Sequence, residues 1–164
     1  MTPEAGTQTD RFEIEEISRS LCRRIKAARE AMSLTPARLA LKAGITRPDF
    51  SKVEQGDPGT PFSYYLMVVW RIDNFASCHG LISPEGLKER GRSPVNQLMR
   101  LCGQRIREMR LARGMSVKEL ALVSSLPASK VMQMEWGNLW SSFEDYARVF
   151  KTLGEMNTLK AILL

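Results

Sequence analysis

Histidine appears once in the 164-residue chain and cysteine three times, which leaves little material for a metal centre or for a nucleophile with its base. The adjacent pair Cys78-His79 has no Asp or Asn partner and no CxxC pair to support it, and neighbouring side chains diverge. A three-cysteine, one-histidine site would also need Cys22 and Cys102, which fall in helical patterns where a small apolar residue is the ordinary occupant. A glycine-rich phosphate loop is missing too. The chain therefore reads as a non-enzyme, with no metal, cofactor or small-molecule ligand. No apolar run approaches the ~20 residues needed to span a bilayer, so no membrane role is expected. The opening "MTPEAGTQTDRFEIEE" has neither a basic start nor an apolar stretch and does not read as a signal peptide. An odd cysteine count without an export signal fits free thiols in a reducing cytoplasm.

What the chain does have is a core's worth of apolar residues, 43% of the total, and a formal net charge of +6 with a pI near 9.5. A basic balance leans towards an anionic partner. The lean is stronger beyond residue 16, because Glu4, Asp10, Glu13, Glu15 and Glu16 gather at the start against Arg11 alone.

It also has a repeat. A shift of 81 residues aligns the halves without a gap from Arg24/Arg105 to Ile72/Leu153. Identical pairs include Ile25/Ile106, Arg29/Arg110, Leu39/Leu120, Ala40/Ala121, Leu41/Leu122, Glu54/Glu135, Gly56/Gly137, Phe62/Phe143, Tyr65/Tyr146 and Val68/Val149. Helical periodicity alone would match apolar spacing; it would not also match the arginine, the glutamate and the glycine in register. One unit is used twice.

Each unit reads as short helices. Ile17, Leu21, Ile25, Ala28 and Met32 share one helical face, and Leu98, Cys102, Ile106 and Met109 repeat it. Thr35-Pro36 places a hydroxyl cap before a proline suited to the first helical turn, and Ser116 to Glu119 has the form of a capping box. A glycine in "KAGIT" turns the chain, Thr46 caps a third helix from about Arg47 to Glu54, and Gly56 stops it. A fourth helix is expected from about Phe62 to Ile72.

Helix, short turn, helix inside an all-helical unit is the layout of a helix-turn-helix. The segment "IKAAREAMSLTPARLALKAGITRPDFSKVEQG" resembles the Cro/C1-type, or XRE, helix-turn-helix family, and "IREMRLARGMSVKELALVSSLPASKVMQMEWGN" resembles it again. The shared features are an arginine in helix 1, a Leu-Ala pair in helix 2, the turn, and Glu-x-Gly closing helix 3. The resemblance implies an all-α fold of two tandem lambda-repressor-like domains of four to five short helices each. It implies that Arg29–Glu54 and Arg110–Glu135 are structural ion pairs joining helix 1 to the end of helix 3. It further implies a reading helix 3 that meets duplex DNA with its N-terminal part and one face.

Carried over residue by residue, the first unit offers Thr35, Thr46, Arg47, Pro48, Ser51 and Lys52. Arg47 and Lys52 can donate to guanine or phosphate, Thr46 and Ser51 to either, and Thr35 can meet a phosphate at its helix N-terminus. The second unit offers Ser116, Lys118, Ala128, Ser129 and Gln133. Gln133 suits adenine, Ser129 a base or phosphate, and Ala128, with Met132, only an apolar group such as a thymine methyl. Here Ser125 replaces the turn glycine, and Pro127 cannot cap with a side chain. Trp136 and Trp140 are expected to cover the last helix; the other account makes them an interface anchor.

The organisation expected is an acidic flexible tail over 1–16, a first domain over 17–75, a linker over 76–93 with a helical turn at Pro84–Arg90, and a second domain over 94–164. The function expected is sequence-specific double-stranded DNA binding by a cytoplasmic transcription regulator, repression being the commoner role in the family. Its two units would act as an intramolecular pseudo-dimer, or the second would form a homodimer or contact a partner while the first reads, the arrangement favoured by the apolar third helix of the second unit. The rival is an antitoxin-like or inhibitor module whose second unit grips a protein.

Overall fold

The computed structural model describes the backbone of residues 4–73 and 93–163, and side chains over 12–72 and 93–161. Linker residues 76–92, with Cys78, His79 and the turn at Pro84–Arg90, lie outside the described residues. Among those described the chain is all-helical: α1 (Glu4–Ala31), α2 (Pro36–Ala43), α3 (Arg47–Gln55), α4 (Phe62–Asp73), α5 (Pro94–Ala112), α6 (Val117–Val123), α7 (Ala128–Glu135), α8 (Phe143–Thr152) and α9 (Met156–Leu163). The starts of α2, α3 and α4 recur at the shift of 81 in α6, α7 and α8, so the repeat in sequence is a repeat in structure.

From Glu4 onward the acidic segment, expected as a tail, is part of a helix. Helix α1 begins at Glu4 and runs for 28 residues, and α5 runs for 19, so the first helix of each unit is long rather than short. The apolar stripe continues upstream through Ile17 to Ile14, both buried, with Ser18 buried beside them. Glu13 and Glu15 ride outside the stripe: Glu15 pairs with Arg19 one turn on at 3.0 Å, and Glu13 meets Lys151 of α8 at 2.7 Å. Charge composition concealed an amphipathic helix. At the other end, α1 stops at Ala31, which leaves Met32 exposed instead of on the buried face.

Local chemistry sets the remaining boundaries. Thr35 accepts from the Arg38 amide at 3.3 Å and Thr46 from the Asp49 amide at 3.2 Å, each just ahead of a proline in the first helical turn. Ser116 and Glu119 close the expected capping box. Helix α7 starts at Ala128 with Pro127 extended before it and no side-chain cap. The turn after the second helix needs a left-handed residue: Gly44 takes it at φ 74° in one unit, and Ser125 takes it at φ 54° in the other, where a side chain is strained. Elsewhere α5 lies so close on α7 that a side chain at Gly103 would collide with the carbonyl oxygens of Met134 and Glu135.

The same positions fill both cores: Leu39/Leu120, Ala40/Ala121, Phe50/Val131, Val53/Met134 and Val68/Val149 are all buried. The two cores join into one cluster, with α4 packed on α5 and α8 reciprocally on α1. At the junction the chain pairs with its own repeat. Pro61 and Ser142, equivalent positions, form an isolated antiparallel bridge. The Phe62 amide donates to the Ser141 carbonyl at 3.0 Å, and the Phe143 amide to the Thr60 carbonyl at 2.9 Å. Exchanging the units converts one bond into the other. The same holds for the Phe62–Tyr146 and Tyr65–Phe143 ring contacts, at 4.7 and 5.4 Å between centroids. This is the reciprocity of an isologous twofold interface, made within one chain.

The turn and the junction generate three predictions. Ser125→Gly removes the left-handed strain and raises stability by about 1 kcal/mol, read from the urea midpoint. Burial holds the Tyr65 and Tyr146 phenols above their ordinary range. A raised folded-state pKa leaves stability complete below the unfolded value, near 10, and removes it as pH climbs past that value; urea titrations across about pH 8 to 12 should show this decline. The Tyr65 hydroxyl donates to the Asp57 carbonyl at 2.9 Å, whereas that of Tyr146 has no hydrogen-bond partner among the described residues. Tyr65→Phe therefore costs about 1 kcal/mol while Tyr146→Phe is neutral or stabilising.

Candidate nucleic-acid interface

Between α2 and α3 the chain makes a three-residue turn, Gly44-Ile45-Thr46. Phe50 and Val53 anchor the inner face of α3 in the core, and Gly56 ends it with a left-handed residue. Two hydrogen bonds fix its other end, because Thr46 also donates to the Asp49 carboxylate at 2.6 Å. Helical spacing then turns Arg47, Pro48, Ser51 and Lys52 outward. Arg47, Pro48 and Lys52 are exposed, and half-buried Ser51 accepts from the Gln55 amide at 3.1 Å. Neither Arg47 nor Lys52 forms an ion pair with a described residue. Asp49 is occupied by the cap, so the outer stripe of α3 presents cations unopposed.

The arginine inside the unit has a different role. Arg29 donates to Glu54 at 2.6 Å and to the Leu34 carbonyl at 2.9 Å, tying α1 to the end of α3 and to the loop before α2. Arg110 repeats this, with Glu135 held through two bonds at 2.5 and 3.0 Å and the Met115 carbonyl at 2.8 Å. Side-chain exposure is 8% and 7% for the second pair against 11% and 16% for the first. Both pairs join the first helix of a unit to the end of its third, as the resemblance implied.

The two units differ where they face solvent. Thr35 is exposed at the head of α2, followed by exposed Arg38 and Lys42, cations that the sequence reading passed over. Reading positions across the repeat finds them: Arg38, Lys42, Arg47 and Lys52 correspond to Glu119, Val123, Ala128 and Gln133, so four cations in one unit become none in the other. Ser116 is exposed but engaged in the capping box, whose bonds hold the Glu119 carboxyl below its usual range. Lys118 is exposed beside it. On α7, Ser129, Met132 and Gln133 are exposed, whereas Ala128 is half-buried against the core. Lys130 turns away to pair with Asp145 of α8 at 2.9 Å.

The tryptophans do not cover the last helix. Trp136 and Trp140 are 74% and 69% exposed. The chain turns at Trp136 directly after α7, which carries the indole off the core, and Trp140 reaches across to Tyr64 of the first unit. Among the described residues no group of three His, Cys, Asp or Glu could hold a metal ion, and no helix is long and apolar enough to cross a membrane.

In comparisons with protein-family models, curated proteins and solved structures, nothing matches this chain.

The ion pairs generate a graded prediction. Replacing Glu135 by Gln strands a buried guanidinium and costs about 3–5 kcal/mol, with a smaller loss for Glu54→Gln at its more open site. Urea denaturation checks the order. Equal, small losses would mean that neither pair is effectively desolvated.

Proposed function

We propose that the protein binds double-stranded DNA in a sequence-specific manner and regulates transcription from the cytoplasm, in the manner of the Cro/C1-type proteins it resembles. The observation that carries the reading is the outer stripe of α3: Arg47 and Lys52 are exposed without carboxylate partners on a helix capped at one end and locked at the other. A rigid helix of this kind fits a major groove, where arginine and lysine meet guanine and the strands on either side offer phosphates. Exposed Arg38 and Lys42 on the neighbouring helix extend the cationic surface. The activity is binding, not catalysis, and the role is more commonly repression.

A second reading, in which the protein grips another protein, draws on Met132 and Trp136, exposed one turn apart at the end of α7. Salt separates the two. Duplex affinity held by phosphate contacts falls with slope about −0.9 per contact on logarithmic axes, and an apolar protein interface does not respond so. The double substitution Arg47→Ala, Lys52→Ala should weaken duplex binding about a hundredfold, measured by fluorescence anisotropy, with the thermal transition unchanged. Unaltered duplex affinity in that variant would remove α3 as the reading helix.

A further inference from the structure

We infer that one chain, without a second copy, occupies an inverted-repeat DNA site whose two halves differ in sequence, one gripped by cations and the other read almost without them. The inference rests on the DNA-binding reading and adds what the site must look like.

Three observations carry it. The junction is reciprocal: Phe62 to Ser141 and Phe143 to Thr60 are the same bond made twice, and the Ser63 hydroxyl to the Leu139 carbonyl, at 2.6 Å, answers the Glu144 amide to Pro58, at 2.9 Å. A contact that exchanges equivalent residues relates the units by rotation of half a turn, not by translation. Since the units share their helix order, ion pairs and core positions, that rotation also carries α3 onto α7. Duplex DNA has twofold axes of its own perpendicular to its length, so helices related in this way address the same sequence on opposite strands; a translational pair would address a direct repeat. A single chain thereby has the symmetry that a one-unit protein reaches only by dimerising.

The third observation is that the symmetry stops at the surface. Arg38, Lys42, Arg47 and Lys52 face Glu119, Val123, Ala128 and Gln133 across the pseudo-axis. The α3 half suits guanine-bearing steps and neutralises phosphates. The α7 half offers the Gln133 amide to adenine, and Ala128 and Met132 to thymine methyls, with little charge to add. The α3 half, with four exposed cations against Lys118 at the head of α6, then carries the larger share of the salt dependence of binding.

The test is selection of bound duplexes from a random library by the full chain, with the stoichiometry of the enriched complex read by native mass spectrometry. One chain on an inverted repeat with unlike halves is expected. A direct repeat, a single half-site or two chains per duplex would overturn the inference while leaving DNA binding in place. Failure to enrich any duplex would remove the DNA-binding reading and the inference together. A gain-of-function variant supplies the second arm. Ala128→Arg, Met132→Ser and Gln133→Lys give α7 the outward residues of α3, at two exposed positions and one half-buried one. The selected site should become symmetric, both halves matching the α3 half, with the salt slope steeper by about 1 to 2. A variant that folds with an unchanged melting temperature yet selects the original unlike halves would also overturn the inference.

Discussion

The first amides of a helix have no partner within it, and burying them unpaired is costly. Here two helices, α4 and α8, begin at the same spot in the molecule, and each supplies the other's missing acceptor. The Phe62 amide ends on Ser141 and the Phe143 amide on Thr60, the residues that lead into the opposite helix. The buried Phe62, Phe143, Tyr65 and Tyr146 rings close over these bonds. Remove one unit and the other keeps a bare helix end and an uncovered aromatic cluster. The first helix takes part in the union as well: α1 packs on α8, and Lys151 of the second unit meets Glu13 at 2.7 Å.

Within each unit a second constraint holds the candidate reading helix. The Arg–Glu pair is costly to desolvate and strong only because its geometry is complete, with the guanidinium also satisfying a loop carbonyl. Its effect is positional. It fixes the end of α3 or α7 to the first helix while the Thr46 or Pro127 end is set by the turn. The inner faces then vary little between the copies, and the outer faces vary freely. That division, a shared frame with unlike surfaces, is what makes two chemically different contacts available from one repeated unit.

Most of the frame was legible in the residues. Identical Arg, Glu and Gly at matching positions identified the repeat, and hydroxyl-proline and Ser-x-x-Glu patterns marked helix starts that the structure bears out at Thr35, Thr46 and Ser116. The ion pairs came from the resemblance, since a spacing of 25 residues by itself says nothing about contact. Three things were hidden. The acidic residues at the start masked an apolar stripe because their charge dominated the composition. Trp136 and Trp140 looked like core residues by type, yet a turn placed just after α7 points them outward. The junction was hidden because its bonds are made by backbone at Thr60 and Ser141, which carry no signature, although the Phe62/Phe143 identity beside them was in plain view.

Hydrogen exchange of two amides tests the union of the units most directly. As first residues of their helices, Phe62 and Phe143 can be protected only by carbonyls of the opposite unit. If the junction holds in solution, both amides exchange only through cooperative opening, as slowly as the mid-helix amides of Val68 and Val149. If Phe62 and Phe143 exchange freely while Val68 and Val149 stay protected, the units fold separately and the twofold relation between them is lost.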